Sequence, residues 1–109
     1  MNEVIKERIN TYCEFVKRGK PTAMIAIQNR YVDDAIKIVT KIYNLNTYIE
    51  NLSEGWKILW IYKDNYMLDI IKEMPEQPKT VYEHWVLGKI FGYSDESIKT
   101  FIETKVLHK

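Results

Sequence analysis

Residues 47–63 read TYIENLSEGWKILWIYK, and this stretch decides the fold. TYIENL (47–52) and WKILWIYK (56–63) are rich in β-branched and aromatic side chains, and SEG supplies a turn between them. The pair predicts an antiparallel hairpin. In its second strand, alternation puts Trp56, Ile58, Trp60 and Tyr62 on one face and Leu59 and Ile61 on the other. Both faces are apolar, so helices are expected on both sides of the sheet.

Working outward, TAMIAIQ (22–28) is short, apolar and bounded by Pro21 and Asn29. It predicts a strand buried on both faces. RYVDDAIKIVTKIY (30–43) carries Val32, Ala35, Ile36, Val39, Ile42 and Tyr43 on one helical face. Asp33 and Asp34 suit its positive N-terminal end, and Asn44 is expected to end it. A strand, a helix and a strand in this order predict a right-handed crossover between parallel strands. With the hairpin added, the sheet is expected to be small and mixed.

The flanks read as helices. From about Glu3 to Arg18, the residues Ile5, Ile9, Tyr12 and Val16 form a stripe, and Gly19 and Pro21 stop it. In NYMLDIIKEM (65–74) the stripe is Met67, Ile70, Ile71 and Met74. Pro75 and Pro78 break that helix. TVYE has capping-box form, with Thr80 as the cap and Glu83 reaching back. The helix that follows ends at Gly92. The last one starts after Ser94 and carries Ile98, Phe101, Ile102 and Val106.

The expected fold class is therefore α+β. It has a small three-stranded mixed sheet (β-α-β-β), an N-terminal helix and a C-terminal helical subdomain, in a single domain over 1–109. The second helix should cover one sheet face, and the first helix and the C-terminal helices the other.

Composition narrows the function classes. The 109 residues are 46% hydrophobic and 28% charged, which suits one globular domain with a core that needs no metal or disulfide. No apolar run approaches a bilayer span, and MNEVIKERIN is too polar for a signal peptide, so no membrane is expected. Cys13 is the sole cysteine, which points to a reducing, cytoplasmic setting. With 16 basic and 15 acidic residues, the net charge of +1 is low for a dedicated nucleic-acid binder.

Residues 84–103 (HWVLGKIFGYSDESIKTFIE) nevertheless follow the spacing of a helix-turn-helix. Leu87 and Gly88, Phe91 and Gly92, Tyr93 and Ser94, then Ile98 and Phe101 fill its slots. The small residue lets two helices approach, the glycine supplies a left-handed turn, and the apolar slots form the seam. Any tight αα corner needs the same things. A DNA-reading version would use Lys89, Ser94 and Lys99. Asp95 and Glu96 would then meet phosphates, where acids oppose binding. They are better explained as first-turn helix stabilisers. The stretch HWVLGKIFGYSDESI resembles small uncharacterised proteins of Bacillus-type bacteria and their phages. The resemblance covers the C-terminal third and implies no activity or site. An abundance of Ile, Lys, Asn and Tyr, with few Gly and Pro, fits an AT-rich genome such as that of a low-GC bacterium or its phages.

No constellation carries catalysis. The histidines are His84 and His108, and nothing in the sequence brings either to Cys13. Asp33 and Asp34 are adjacent and diverge on a helix. No metal-ligand spacing, glycine-rich cradle or cofactor motif is present, so no metal, no cofactor and no enzyme are expected. The positive signal is aromatic: 8 Tyr and 3 Trp. Trp56, Trp60 and Tyr62 share a strand face, and Tyr82, His84 and Trp85 on a neighbouring helix could line the same groove. Such side chains are frequent interface anchors. The expectation is a small binding or regulatory protein acting through protein–protein contact, of phage or prophage origin. Its partner is another protein or itself, with a homodimer burying part of the aromatic neighbourhood. The alternative is a helix-turn-helix DNA-binding regulator, and an enzyme of unrecognised type stands third.

Overall fold

Helix α1 (Glu3–Lys17) opens on Asn2, whose side-chain oxygen accepts the N–H of Ile5. That bond satisfies one of the helix's orphan donors. In the computed structural model, which describes residues 1–75 and 77–107, the chain then runs into β1 (Thr22–Gln28). A 3₁₀ turn (Asn29–Tyr31) leads into α2 (Val32–Lys37), which continues as a π turn over Ile38–Ile42. Asn44, with φ of 55°, ends it. The hairpin is β2 (Asn46–Ser53) and β3 (Trp56–Tyr62). Three helices follow: α3 (Tyr66–Glu73), α4 (Val81–Ile90) and α5 (Asp95–Phe101), the last continuing as a π turn over Ile102–Val106. His108 lies outside the described residues.

The architecture is α+β, but the sheet is antiparallel throughout, not mixed. Its order is β1-β3-β2, with β3 antiparallel to both neighbours. β1 and β2 do run in the same direction, as a strand–helix–strand unit requires, yet they are not adjacent. A helix about 10 Å wide spans roughly two strand spacings of about 4.8 Å. The crossover therefore leaves a vacant lane, and the hairpin turns β3 into it.

The layers also differ from expectation. Ile9, Cys13 and Val16 of α1 pack with Ala35, Ile38 and Val39 against Ala23, Ile25, Ile27, Leu59 and Ile61. Helices α1 and α2 thus share one face, here called the inner face. The outer face, with Trp60 and Tyr62, meets Met67 and Ile71 of α3 and Ile90 of α4. Beyond Thr22, which is buried on the outer face, β1 is buried on its inner face only, since Met24 and Ala26 are exposed.

The π turn explains another difference. Tyr43 N–H donates to Ile38 O, five residues back. The wider turn slips the helical register, so Ile38 is buried while Ile42, expected inside, is 68% exposed. Phe101, just before the second π turn, is likewise exposed although its stripe partners Ile98 and Ile102 are buried.

The corner between α4 and α5 is built as its spacing implied. Gly92 has φ of 78°, Gly92 N–H donates to Lys89 O, and Tyr93 N–H donates to Gly88 O. These are the two bonds of a Schellman motif. A Cβ on Gly88 would lie 2.6 Å from Ile98 Cγ1, so the helices touch where only glycine fits.

Candidate functional site: the open end of the outer sheet face

Strand register arranges the outer face in rows. Thr22, Tyr62 and Asn46 form the first; Met24, Trp60 and Tyr48 the second; Ala26, Ile58 and Glu50 the third; Gln28, Trp56 and Ser53 the last. The first row is roofed, and so is the second except at its β1 end. Thr22 Oγ1 donates to Ile90 O at 2.6 Å, which pins the end of α4 to the start of β1. Trp60 is 5% exposed and stacks on Phe91, with centroids 5.7 Å apart and planes within 9°. Its indole N–H donates to the Glu50 carboxylate. Tyr62 is buried, and burial pushes its phenol pKa up.

The roof stops there. Helix α3 has 8 residues before Met74 and Pro75 end it. A helix of that length reaches about 12 Å, against about 23 Å for a seven-residue strand. The last rows and the β1 end of the second stay open: Trp56 is 40% exposed and Met24 41%, and Ala26 is exposed beside them. A bulge between Asn51 and Ser53 turns Leu52 toward the same space, where it is also exposed. Under the roof's edge lies a groove of about 370 Å³ whose walls include Met24, Leu52, Ile58, Trp60, Leu87 and Phe91. Glu50 is its acidic wall. Lys20 sits beyond Phe91, its Nζ 5.9 Å from the ring.

The six aromatic and histidine residues expected to line one groove are divided. Trp56 marks the open end. Trp60 and Tyr62 are core, although Trp60 also forms the groove floor. Tyr82 and Trp85 line a separate hollow between α3 and α4, with Ile70, Met74 and Val86. His84 faces the corner, its ring 5.6 Å from Phe101. Met24, Ala26 and Leu52 were not foreseen. TAMIAIQ holds no polar residue inside it to mark an open face, and the bulge that turns Leu52 has no sequence signal.

The residues of the DNA-reading alternative have local partners. Lys89 pairs with Asp95 and lies 5.4 Å over the Trp85 ring. Ser94 caps α5 by accepting Ser97 N–H at 3.1 Å. Lys99 is exposed, as are Asp95 and Glu96 at the start of the same helix. Cys13 is fully buried in the inner core, and burial together with the neighbouring Glu14 raises its thiol pKa to about 12. Its thiolate, the reactive form, is thereby disfavoured. Among the described residues no three His, Cys, Asp or Glu side chains converge. No helix among those residues is long and apolar enough to cross a membrane. No family model, no curated protein and no solved structure matches this chain.

Proposed function

We propose that this chain is a small binding protein acting through protein–protein contact, with the open end of the outer sheet face as its docking surface. One observation carries the proposal: helices α3 and α4 roof only half of that face, leaving Met24, Ala26, Leu52 and Trp56 uncovered together. Clustered apolar exposure beside a groove is what an interface centre needs, and Trp is a frequent anchor there. A cytoplasmic setting belongs to the same proposal, supported by the single buried thiol of Cys13.

The DNA-binding alternative has the geometry of a true αα corner in its favour. Against it stand the acids at the start of α5 and the pairing of Lys89 with Asp95. A gel-shift screen at physiological salt separates the two readings, because a DNA reader would show tight, sequence-selective and steeply salt-dependent binding.

Affinity capture from cells carrying the gene tests the docking surface. The wild-type chain and a Val4→Ser control, altered on the exposed side of α1 across the sheet from this face, should retain the same partner. Trp56→Ser should lose it by about tenfold or more, as for an anchor aromatic. Capture that is indifferent to Trp56→Ser removes this face as the docking site.

A further inference from the structure

The edge of β1 is open as well as its face. Asn29 N–H donates to Gly55 O at 3.0 Å, toward the hairpin. N–H and C=O directions alternate along a strand, so those of Ala23, Ile25 and Ile27 also point to β3. Those of Met24 and Ala26, and the N–H of Gln28, point the other way, out of the sheet, while the Gln28 C=O accepts the first bond of the 3₁₀ turn that follows. Among the described residues, no backbone bond from another element and no side-chain bond meets the outward groups. The two edges of the sheet are defended unequally. β2 carries Glu50 and a bulge at Asn51/Ser53. β1 has no bulge and no charge, and Pro21 precedes the strand instead of interrupting it. Bulges, charges and prolines are the usual guards of an edge, and β1 lacks all of them.

We propose that β1 pairs along this edge with β1 of a second copy of the chain, giving a two-fold dimer with one continuous six-stranded antiparallel sheet. Thr22 is fully buried and tied to Ile90, so the free stretch is Met24–Gln28, whose centre is Ala26. An axis through Ala26 puts that residue opposite itself. Met24 then faces Gln28 of the copy. The Ala26 pair exchanges both N–H···O bonds, and Gln28 N–H donates to Met24 O of the copy. Alanine at the axis is small enough for the two outer faces to close up, with Met24 of each chain flanking it. Beneath the sheet, Ile25 meets Ile27 of the copy. A partner of unlike sequence would not need this centred pattern, whereas an identical strand does. The net charge of +1 adds little repulsion between copies.

The axis is perpendicular to the sheet, so both outer faces lie on the same side. The two sets of Met24, Ala26, Trp56 and Ile58 then join into one apolar floor. The dimer therefore deepens the proposed function and rests on the premise that the sheet is the binding device.

Light scattering on the full chain across the micromolar range tests the pairing. The expected mass is twice the 13.1 kDa of the chain. Ala26→Lys sets like charges opposite each other at the axis and should return the monomer mass with an unchanged circular dichroism spectrum. Ala26→Cys should cross-link on mild oxidation, since Cα atoms of a hydrogen-bonded pair lie about 5.5 Å apart, within disulfide reach. Leu52→Cys, near the other edge, should not cross-link. A wild-type chain that stays monomeric throughout overturns the proposal, as does a dimer that survives Ala26→Lys or fails to cross-link at Ala26→Cys. Trp56 is one strand removed from the axis. Trp56→Ser should keep the dimer mass while losing the partner, so failure of the dimer and failure of the docking surface are read separately.

Discussion

Trp56 and Trp60 sit on the same strand and the same face, two rows apart, and they do different work. Trp60 has Phe91 stacked on it and its N–H bonded to Glu50. Trp56 has 40% of its surface in solvent. Alternation within a strand assigns a side chain to a face, but it does not say whether anything covers that part of the face. Coverage is decided by how far the helices reach. The inner face shows the opposite case along β1: α1 with 15 residues, together with α2, buries Ala23, Ile25 and Ile27 over the length of that strand, and Leu59 and Ile61 beside it.

Truncating the two tryptophans makes that difference measurable, and it is the largest effect expected. Trp60→Ala should cost about 3–5 kcal/mol, the usual loss for a buried aromatic, and leaves Glu50 without its donor. Against a total stability of about 5–15 kcal/mol, that is a fifth or more of the whole. Trp56→Ala should cost under about 1 kcal/mol, as for a surface substitution. Urea denaturation of both variants gives the comparison. Equal losses would mean that the open end is covered in solution, and the docking surface would go with it.

Particular residues show what was legible in the sequence. The strand Thr22–Gln28 appears at the bounds its flanking Pro21 and Asn29 imply, because turn chemistry is local. The capping box at Thr80 and Glu83, the left-handed Gly92 and the close approach at Gly88 were legible for the same reason. Sheet order was not. Whether β3 lies outside β2 or between β2 and β1 depends on a crossover width that no single residue encodes. Nor was the inward turn of Ile38 and the outward turn of Ile42, since a π turn breaks the periodicity that predicts such faces. The candidate site suffered most. Its anchor Trp56 was legible, but Met24, Ala26 and Leu52 became site residues only through the shortness of α3 and a bulge in β2.

A smaller effect separates the two glycines of the corner that carries the roof. Gly88→Ala gains about 1 kcal/mol of helix propensity. It also drives a methyl to within 2.6 Å of Ile98 Cγ1, in a site where Ile98 is buried. Overpacking of this kind costs about 1–3 kcal/mol, so the net change should be a loss of up to about 2 kcal/mol. At Gly92→Ala the backbone conformation is the cost, about 1 kcal/mol, and the new Cβ meets Pro21 at 3.1 Å and Lys20 at 3.3 Å, a loop that can give. Both denaturation midpoints should therefore fall, by up to about 2 kcal/mol in stability for Gly88→Ala and by about 1 kcal/mol for Gly92→Ala. A stabilised Gly88→Ala would show that α4 and α5 are free to move apart, and that the roof over Trp60 is looser than its packing implies.

The smallest effect expected lies at the other end of the same helix, where α4 begins and its approach to the sheet is set. Thr80 Oγ1 accepts Glu83 N–H at 3.1 Å, and the Glu83 carboxylate accepts the backbone N–H groups of Lys79 at 3.0 Å and Thr80 at 3.1 Å. Those N–H groups, Lys79 first, hold the Glu83 carboxyl below its ordinary pKa. A carboxyl with a depressed folded pKa stabilises the fold at pH above its unfolded pKa, and that contribution disappears as pH falls through the folded value. Thr80→Ala removes a neutral cap and should cost about 1 kcal/mol at neutral and acid pH alike. Glu83→Gln keeps an acceptor but drops the charge, so its deficit relative to wild type should be greatest at neutral pH and shrink on acidification. Melting temperatures of both variants from neutral to strongly acid pH read the two patterns side by side. If the Glu83→Gln deficit were constant with pH, the carboxylate would not be holding the Lys79 and Thr80 donors. The start of α4 would then rest on Thr80 alone, and the roofed end of the sheet would owe its order to Trp60 and Phe91 instead of to the cap.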